Sequence, residues 1–508
     1  MDTRRDRFPA TVRSSRNVAG LLVATLVAGC APGTDGNDDP GPHPLADQQA
    51  WAFDDTGDGG VAASEQLFPS SRLVVASASD EGSFERATEV SSGLHAPMFV
   101  VTPDNADSVA DEVDRLGAEQ VFVVGAGGSG TNPGFDTDIF DPEIEVSAVP
   151  SGVPLNEVVD ELGEDPQTPP YSGDDVRVFV SGSTSWASVA TARASGAAVS
   201  RLGAPDPRAY GHAVDGIRDA EAVLAFGPDW GDGFGDRAEQ AVTVPELPGG
   251  GQVIFPGRRM VGLYGSPLTP ALGILGEQDP EAAVEVVRQK VEEYQEFSPE
   301  PVIPAFEIIG TVAAQTPGPD GSYSNVWDPE LFVPMVDAIT DAGGYALIDL
   351  QPGMADFLEQ ARPFEELLRR PGVGLALDPE WRLAPDQQPL AQVGSVDAAE
   401  INRVIDWLAE ITRDSGGPQT MLILHQFQDQ MITDRDQVDT SHDEVSVVLH
   451  IDGHGTPGEK IGTWDRMLED LPDGMWPAWK NFRNEDNPTF TPQETMAVTP
   501  RPWFVSYQ

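Results

Sequence analysis

Short runs of consecutive apolar residues alternate along this chain with longer stretches whose apolar positions recur every three or four residues. The runs have the length of strands buried on both faces, and the stretches between them have the helical period. In the first half the runs are Arg72–Ser77, Ala96–Thr102, Gln120–Gly125, Val176–Val180, Ala198–Leu202 and Ala222–Phe226. Helical spacing falls between them over Phe84–Leu94, Ala106–Leu116, Trp186–Arg193 and Ala213–Ala220. The alternation predicts parallel sheet covered by helices on both faces, in two α/β units joined by the Pro/Asp/Gly-rich segment 131–174.

From residue 256 onward the pattern predicts eight more strands: Arg259–Ser266, Val302–Gly310, Tyr345–Gln351, Val373–Trp381, Met421–Phe427, Val445–Gly453, Trp476–Phe482 and Trp503–Gln508. Helices are expected over Pro280–Phe297, Pro329–Ala342, Ala355–Arg370 and Asp397–Arg413. The first has Pro280 just inside its start and Ala282, Val284, Val287 and Val291 at helical spacing. Eight strand–helix units in a segment of this size make a (β/α)8 barrel over 256–508. The fold class expected is therefore α/β, with a parallel-sheet α/β (flavodoxin-like) domain over 61–250 followed by the barrel. The last strand has no helix after it, so the helix at the front or a loop must cover it.

The apolar runs of the second half end on polar groups. Read in order, the ends carry Tyr264, Glu307, Asp349 with Gln351, Asp378 with Glu380 and Trp381, His425 with Gln426, His450 with Asp452 and His454, Lys480, and Tyr507. A buried strand that stops on charge gives up stability for something other than packing. In a β/α barrel those ends converge on one face, where active sites sit.

Two chemistries fit. Paired carboxylates suit glycosidic hydrolysis, with Glu380 as general acid and Asp378, Asp452 or Glu307 as base, nucleophile or stabiliser. His425 and Lys480 would then tune those groups or bind substrate, and Trp381 offers a face on which a sugar ring stacks. This reading calls for no metal and no cofactor. The second chemistry is metal-dependent hydrolysis using Glu307, His425, His450, Asp452 and His454, because the alternate spacing of His450, Asp452 and His454 resembles metal-ligand spacing. Each group also has a plain reading: Asp378 as a turn cap before Pro379, Trp381 as core, the histidines as a hydrogen-bonded network, and Tyr264 and Tyr507 as lining. A third possibility is a glycan-binding protein without turnover. The Gly125–Gly130 run matches a dinucleotide fingerprint in spacing alone, since no helix follows it.

Composition narrows the partners. The formal charge is −53, with only three lysines among 508 residues. Such a surface repels phosphate backbones, which excludes nucleic acid held by charge. It fits adaptation to salt, or else a basic partner or divalent cations. The single cysteine, Cys30, excludes an intrachain disulfide. Ahead of it stand Arg4, Arg5, Arg7, Arg13 and Arg16, then the apolar stretch Val18–Ala28, too short to span a bilayer comfortably.

Leu26-Val-Ala-Gly-Cys30 resembles a bacterial lipobox. The resemblance implies a lipoprotein signal peptide over 1–29, a lipid on Cys30 that anchors the protein at the extracellular face of the cell membrane, and a flexible Gly/Asp/Pro-rich tether over 30–60. Leu94-His-Ala-Pro-Met-Phe-Val-Val-Thr102, followed by Leu116-Gly-Ala-Glu-Gln-Val-Phe-Val-Val-Gly125, is similar to the cell-wall-binding repeat 2 modules of Gram-positive surface proteins. That similarity implies a polysaccharide or cell-wall glycan as partner. The Asp378-Pro-Glu380 strand end looks like the acidic strand motifs of barrel muramidases and chitinase-type glycosidases. The second half as a whole looks like the barrel domain of actinobacterial surface lipoproteins.

Overall fold

A computed structural model describes residues 50–125, 133–150, 152–389 and 391–508. The signal-peptide and lipidation readings, Cys30 included, and most of the Gly125–Gly130 run lie outside these residues. The described residues group as a single unit.

The first half carries β1 (Ala50–Phe53), β2 (Leu73–Ser77), β3 (Met98–Val100), β4 (Gln120–Val124), β5 (Glu145–Ala148), β6 (Val176–Val180), β7 (Ala198–Arg201) and β8 (Ala222–Phe226). They divide between two four-stranded sheets, β3-β2-β4-β5 and β7-β6-β8-β1, and every pairing is parallel. The central strands are mostly apolar and buried because helices such as Glu81–Leu94 and Trp186–Ala194 cover them. Asp80 caps the first of these helices through Ser83 N, and Ser185 caps the second through Ser188 N.

Two strands correct the reading from sequence. Ala50-Trp-Ala-Phe53 falls inside the span read as tether, yet it pairs along its whole length with β8 and completes the second sheet. Phe53 stacks on Phe226 at 5.6 Å, and the turn after it leads into the helix Val61–Leu67. Glu145–Ala148, inside the segment read as a linker, forms the edge of the first sheet. Its mostly exposed burial pattern explains why no apolar run marks it.

The second half closes into a barrel of eight parallel strands: β9 (Arg259–Gly265), β10 (Val302–Ala313), β12 (Tyr345–Leu350), β13 (Val373–Leu377), β15 (Thr420–Gln426), β17 (Val445–Ile451), β18 (Trp476–Asn481) and β19 (Phe504–Tyr507). Pairing of β19 with β9 and of β9 with β10 closes the ring. Three short strands lie outside it: β11 (Ser324–Val326), antiparallel to β10, and the pair β14 (Val396–Asp397) and β16 (Ile432–Thr433). All eight strands expected from the pattern are the barrel strands. Some ends differ: β10 runs on to Ala313, β17 stops at Ile451, and β13 stops at Leu377, with Pro379–Trp381 forming a 3-10 turn.

Side chains alternate in and out along each strand. Outward residues such as Leu375, Leu422, Leu424, Val447 and Leu449 pack beneath helices including Pro280–Gln295 and Ala398–Ser415. Inward residues Met260, Ile303, Ala305, Leu347, Ala376, Ile423, Val448, Ala478 and Phe504 fill the barrel. Its floor is the segment joining the two halves. Leu247, Ile254 and Phe255 join the interior cluster, with Phe255 against Trp476 and Trp503 at 5.6 and 5.5 Å. Gln419 fastens this floor, its side-chain oxygen accepting from Ile254 N at 2.9 Å and its backbone N–H donating to Gln252 O at 2.9 Å. The front helix covers β19 through a hydrogen bond between Tyr294 and Tyr507 hydroxyls at 2.8 Å.

Candidate active site

Above the apolar filling the inward positions change character on every strand at once. They are Tyr264 on β9, Glu307 on β10, Asp349 on β12, Asp378 just past β13, His425 on β15, His450 on β17, Lys480 on β18 and Ser506 on β19, with Asp452 one step higher. Each is buried. The ring is a direct product of strand parity: the residues two positions lower are the apolar filling, except on β9, where Gly262 makes room for the Phe504 ring.

His425 sits at the centre. Its Nδ1 lies 2.7 Å from Asp452 Oδ2, and its Nε2 lies 2.9 Å from Glu307 Oε1 and 3.9 Å from Asp349 Oδ1. His450 turns Nδ1 to the same place, 3.5 Å from Glu307 Oε1 and 3.9 Å from Asp452 Oδ1. Its other nitrogen, Nε2, is held by Ser506 Oγ at 3.1 Å. Tyr264 donates its hydroxyl to Asp349 Oδ2 at 2.7 Å, and Lys480 Nζ lies 3.7 Å above the Tyr264 ring and 3.6 Å from Asp452 Oδ2.

Six atoms of this cluster are buried without a hydrogen-bond partner: both Glu307 carboxylate oxygens, Asp349 Oδ1, His425 Nε2, His450 Nδ1 and Asp452 Oδ1. An unsatisfied buried polar atom costs about 1–3 kcal/mol. Glu307 is ion-paired with both imidazoles, and the atoms that lack hydrogen bonds face one place in the mouth that can receive a ligand. His425 Nε2 and Glu307 Oε1, 2.9 Å apart, form a buried ion pair.

Glu307, His425 and His450 could hold a divalent ion, their donor atoms lying within 4.8 Å of one another. Two ligands at about 2.0–2.2 Å from one ion sit roughly 2.9 Å apart at a right angle and 3.4 Å apart at a tetrahedral angle. The observed 2.9 and 3.5 Å edges match both. Each imidazole has its outer nitrogen fixed by a neighbour, the arrangement that orients a metal-binding histidine.

The charges are strongly perturbed in the metal-free protein. Burial pushes the Glu307 carboxyl up, but His450 and His425 overcome this and hold it well below the usual range. Burial likewise raises Asp452, and His425, Lys480 and His450 outweigh it to hold that carboxyl low. His425 is raised well above an ordinary imidazole, because Asp452 and Glu307 outweigh its burial. Asp349 is pushed up to about 6 by burial. Burial also raises Asp378 well above the carboxylate range, and raises Glu380 with help from the Asp452 charge.

Several of the expected residues are not on the inward face of the strands. Glu380 and Trp381 are not on the strand. Pro379 starts a turn that Asp378 caps through Glu380 N at 3.1 Å, leaving both residues half-buried at the rim. Gln351 bonds Ala313 N at 3.2 Å and fastens the β10 extension. Gln426 points outward by parity, accepts from Arg435 at 2.8 Å and ties down the following loop. Tyr507 is also on the outer face, bonded to Tyr294. His454 is exposed, with its ring 5.8 Å from Phe482. The His450–His454 spacing therefore does not make the ligand pair; His425 on the adjacent strand partners His450, with ring centroids 4.9 Å apart. Ser506 was not expected. Its signal was the alternation itself, because Phe504 and Ser506 share the inward face.

Two other features lack this convergence. A cavity of about 720 Å3 beside β1 is lined by Trp51, Asp232, Asp236 and Glu239, with no histidine or lysine. Asp406, Asp439 and His442 meet on the outside of the barrel, where Asp406 is exposed. In comparisons of the sequence with known proteins, no family model matches and no curated relative is found.

Proposed function

We propose that this chain is a metal-dependent hydrolase acting at the C-terminal mouth of its barrel. Glu307, His425 and His450 are the metal ligands, and Asp452 and Ser506 hold the two imidazoles. The observation that carries the reading is the set of unpartnered buried atoms converging on one point, with both outer imidazole nitrogens already engaged. A carboxylate with two imidazoles suits zinc and its first-row neighbours. Such an ion supplies a Lewis acid and acidifies a water at neutral pH. Glu380, half-buried at the rim with its carboxyl raised, is placed to move a proton between that water and a leaving group.

The test is metal content with reversal. Protein purified with first-row metals present is expected to hold about one ion per chain, to lose hydrolysis on chelation and to regain it on adding metal back. Glu307→Gln and His425→Ala are expected to fold and hold none. Folded wild-type protein without metal, or activity indifferent to chelators, would overturn the reading.

The glycosidase reading keeps one observation in its favour: Glu380 is raised while neighbouring Asp452 is held low, the split that an acid and its opposed carboxylate need. Chelator-insensitive glycan cleavage abolished by Glu380→Gln would select it.

The proposal extends to location on the strength of the sequence: a lipid-anchored enzyme at the outer face of the membrane, working on cell-wall or environmental polysaccharide. No helix among the described residues is long and apolar enough to cross a membrane. Numbered within its own half, each N-terminal sheet has the order 2-1-3 with a fourth strand added, as in flavodoxin-like folds. The wall-binding role of that half rests on its sequence resemblance alone.

A further inference from the structure

Lys480 is the group in the barrel mouth that the metal site leaves unused. We infer that its ammonium receives the carbonyl oxygen of the scissile group, so that the substrate is an acyl compound, an amide or ester borne on a glycan, rather than a glycosidic acetal. The inference rests on the metal-dependent reading above.

The chain has three lysines, and the other two are occupied. Lys460 donates to Gly453 O and Lys480 O at 2.8 and 2.7 Å and pairs with Asp486 at 2.9 Å. Lys290 pairs with Glu293 on an outer helix at 2.7 Å. Lys480 is 4% exposed, and its Nζ has three protons to donate. Among the described residues its contacts are an ion pair at 3.6 Å and the faces of the Tyr264 and Phe482 rings, none of them a hydrogen bond. Asp452 Oδ2 faces both Lys480 Nζ and His425 Nδ1. One carboxylate thus separates the ammonium from the imidazole that turns its far nitrogen to the metal position.

The sign of the developing charge selects the substrate. Acetal cleavage builds positive charge at the anomeric carbon and ring oxygen. An ammonium and a divalent cation beside that centre would oppose it. Acyl transfer builds negative charge on the carbonyl oxygen, which both would stabilise. A phosphoryl group carries negative charge in its ground state as well, and the carboxylates of Asp452, Glu307, Asp378 and Asp349 already act on this single ammonium. The arginines of the loops after β13 and β15 are committed, Arg382 to Glu400 and Arg435 to Gln426.

In the reaction a water oxygen bonds to the acyl carbon and the C–N or C–O bond breaks. The water's proton passes to Glu380 and on to the departing nitrogen or oxygen, giving a carboxylic acid and an amine or alcohol.

The experiment uses the full chain with its metal content measured. Its substrates are p-nitrophenyl acetate, N-acetylated chitooligosaccharides scored for released acetate, and p-nitrophenyl glycosides. Wild type is expected to release acyl groups and leave the glycosides intact. Lys480→Met is expected to lower kcat on the acyl substrates about 10²–10³-fold, the usual effect of losing one oxyanion donor. Metal content should be unchanged, KM should move little, and Lys480→Arg should recover part of the rate. Metal-loaded wild type that cleaves glycosides but no acyl substrate overturns the inference and leaves the metal site standing. Full acyl turnover in metal-loaded Lys480→Met overturns it as well. Wild type that binds no metal overturns both readings.

Discussion

Asp452→Asn tests the metal site through a residue that orients a ligand instead of binding the ion. Asp452 Oδ2 holds His425 Nδ1 at 2.7 Å, fixing the ring with Nε2 toward Glu307. Asparagine keeps the shape but offers a neutral acceptor, and a charge-assisted bond is roughly twice as strong as a neutral one. Loss of such an outer partner costs about 10–100-fold in metal affinity, or about 1.4–2.7 kcal/mol. The internal comparison is Ser506→Ala, which removes a neutral and longer contact, 3.1 Å, from the other imidazole. Its expected loss is at most about tenfold. Both affinities are measured on metal-free protein by calorimetric titration or by competition with a chromogenic chelator at fixed pH, after circular dichroism confirms the fold. An Asp452→Asn affinity within twofold of wild type would refute the orienting role. So would a Ser506→Ala loss larger than that of Asp452→Asn.

Other substitutions separate site from scaffold. Asp349 is raised from 3.8 to about 6, so the native state holds its proton more tightly than the unfolded chain does. Its ionised carboxylate therefore weakens the metal-free fold above about pH 6, and the penalty vanishes below about pH 4. Asp349→Asn should raise stability by about 3 kcal/mol at pH 7 and by little at pH 4, read from urea unfolding at the two pH values; equal effects at both would contradict the assignment. Tyr507→Phe should cost about 1 kcal/mol by removing a buried hydroxyl pair, with metal affinity unchanged, since it faces away from the mouth. Phe255→Ala should cost about 3–5 kcal/mol in denaturant unfolding by opening the barrel floor, again with metal binding intact in the folded fraction.

The barrel was legible because its strands are apolar on both faces and each ends abruptly. Glu307, Asp349, His425, His450, Asp452 and Lys480 could be read from those ends because burying such groups is too costly to be incidental. What failed was the choice within an end. Gln426 and Tyr507 are the conspicuous polar residues, yet each lies one position away from the inward face. His425 and Ser506 hold that face because parity continues from Ile423 and Phe504. Pairing His450 with His454 followed sequence distance, whereas the real neighbour comes from the adjacent strand, in register with it. Glu380 and Trp381 were misplaced because proline at 379 turns the chain before another strand residue can form. β1 went unseen because four residues amid Gly and Asp give no period, and only pairing with a strand some 170 residues away makes them a strand.

The floor made by Leu247, Ile254 and Phe255 has a consequence for how such a chain can be rearranged. A fragment starting at residue 256 would carry every group of the mouth but would lack its stopper, leaving an oily opening lined by Trp476, Trp503 and Phe504. The two halves cannot be exchanged as independent cassettes. A replacement front half would have to bring its own aromatic cork, so ancestry and engineering alike must carry the junction along with the catalytic ring.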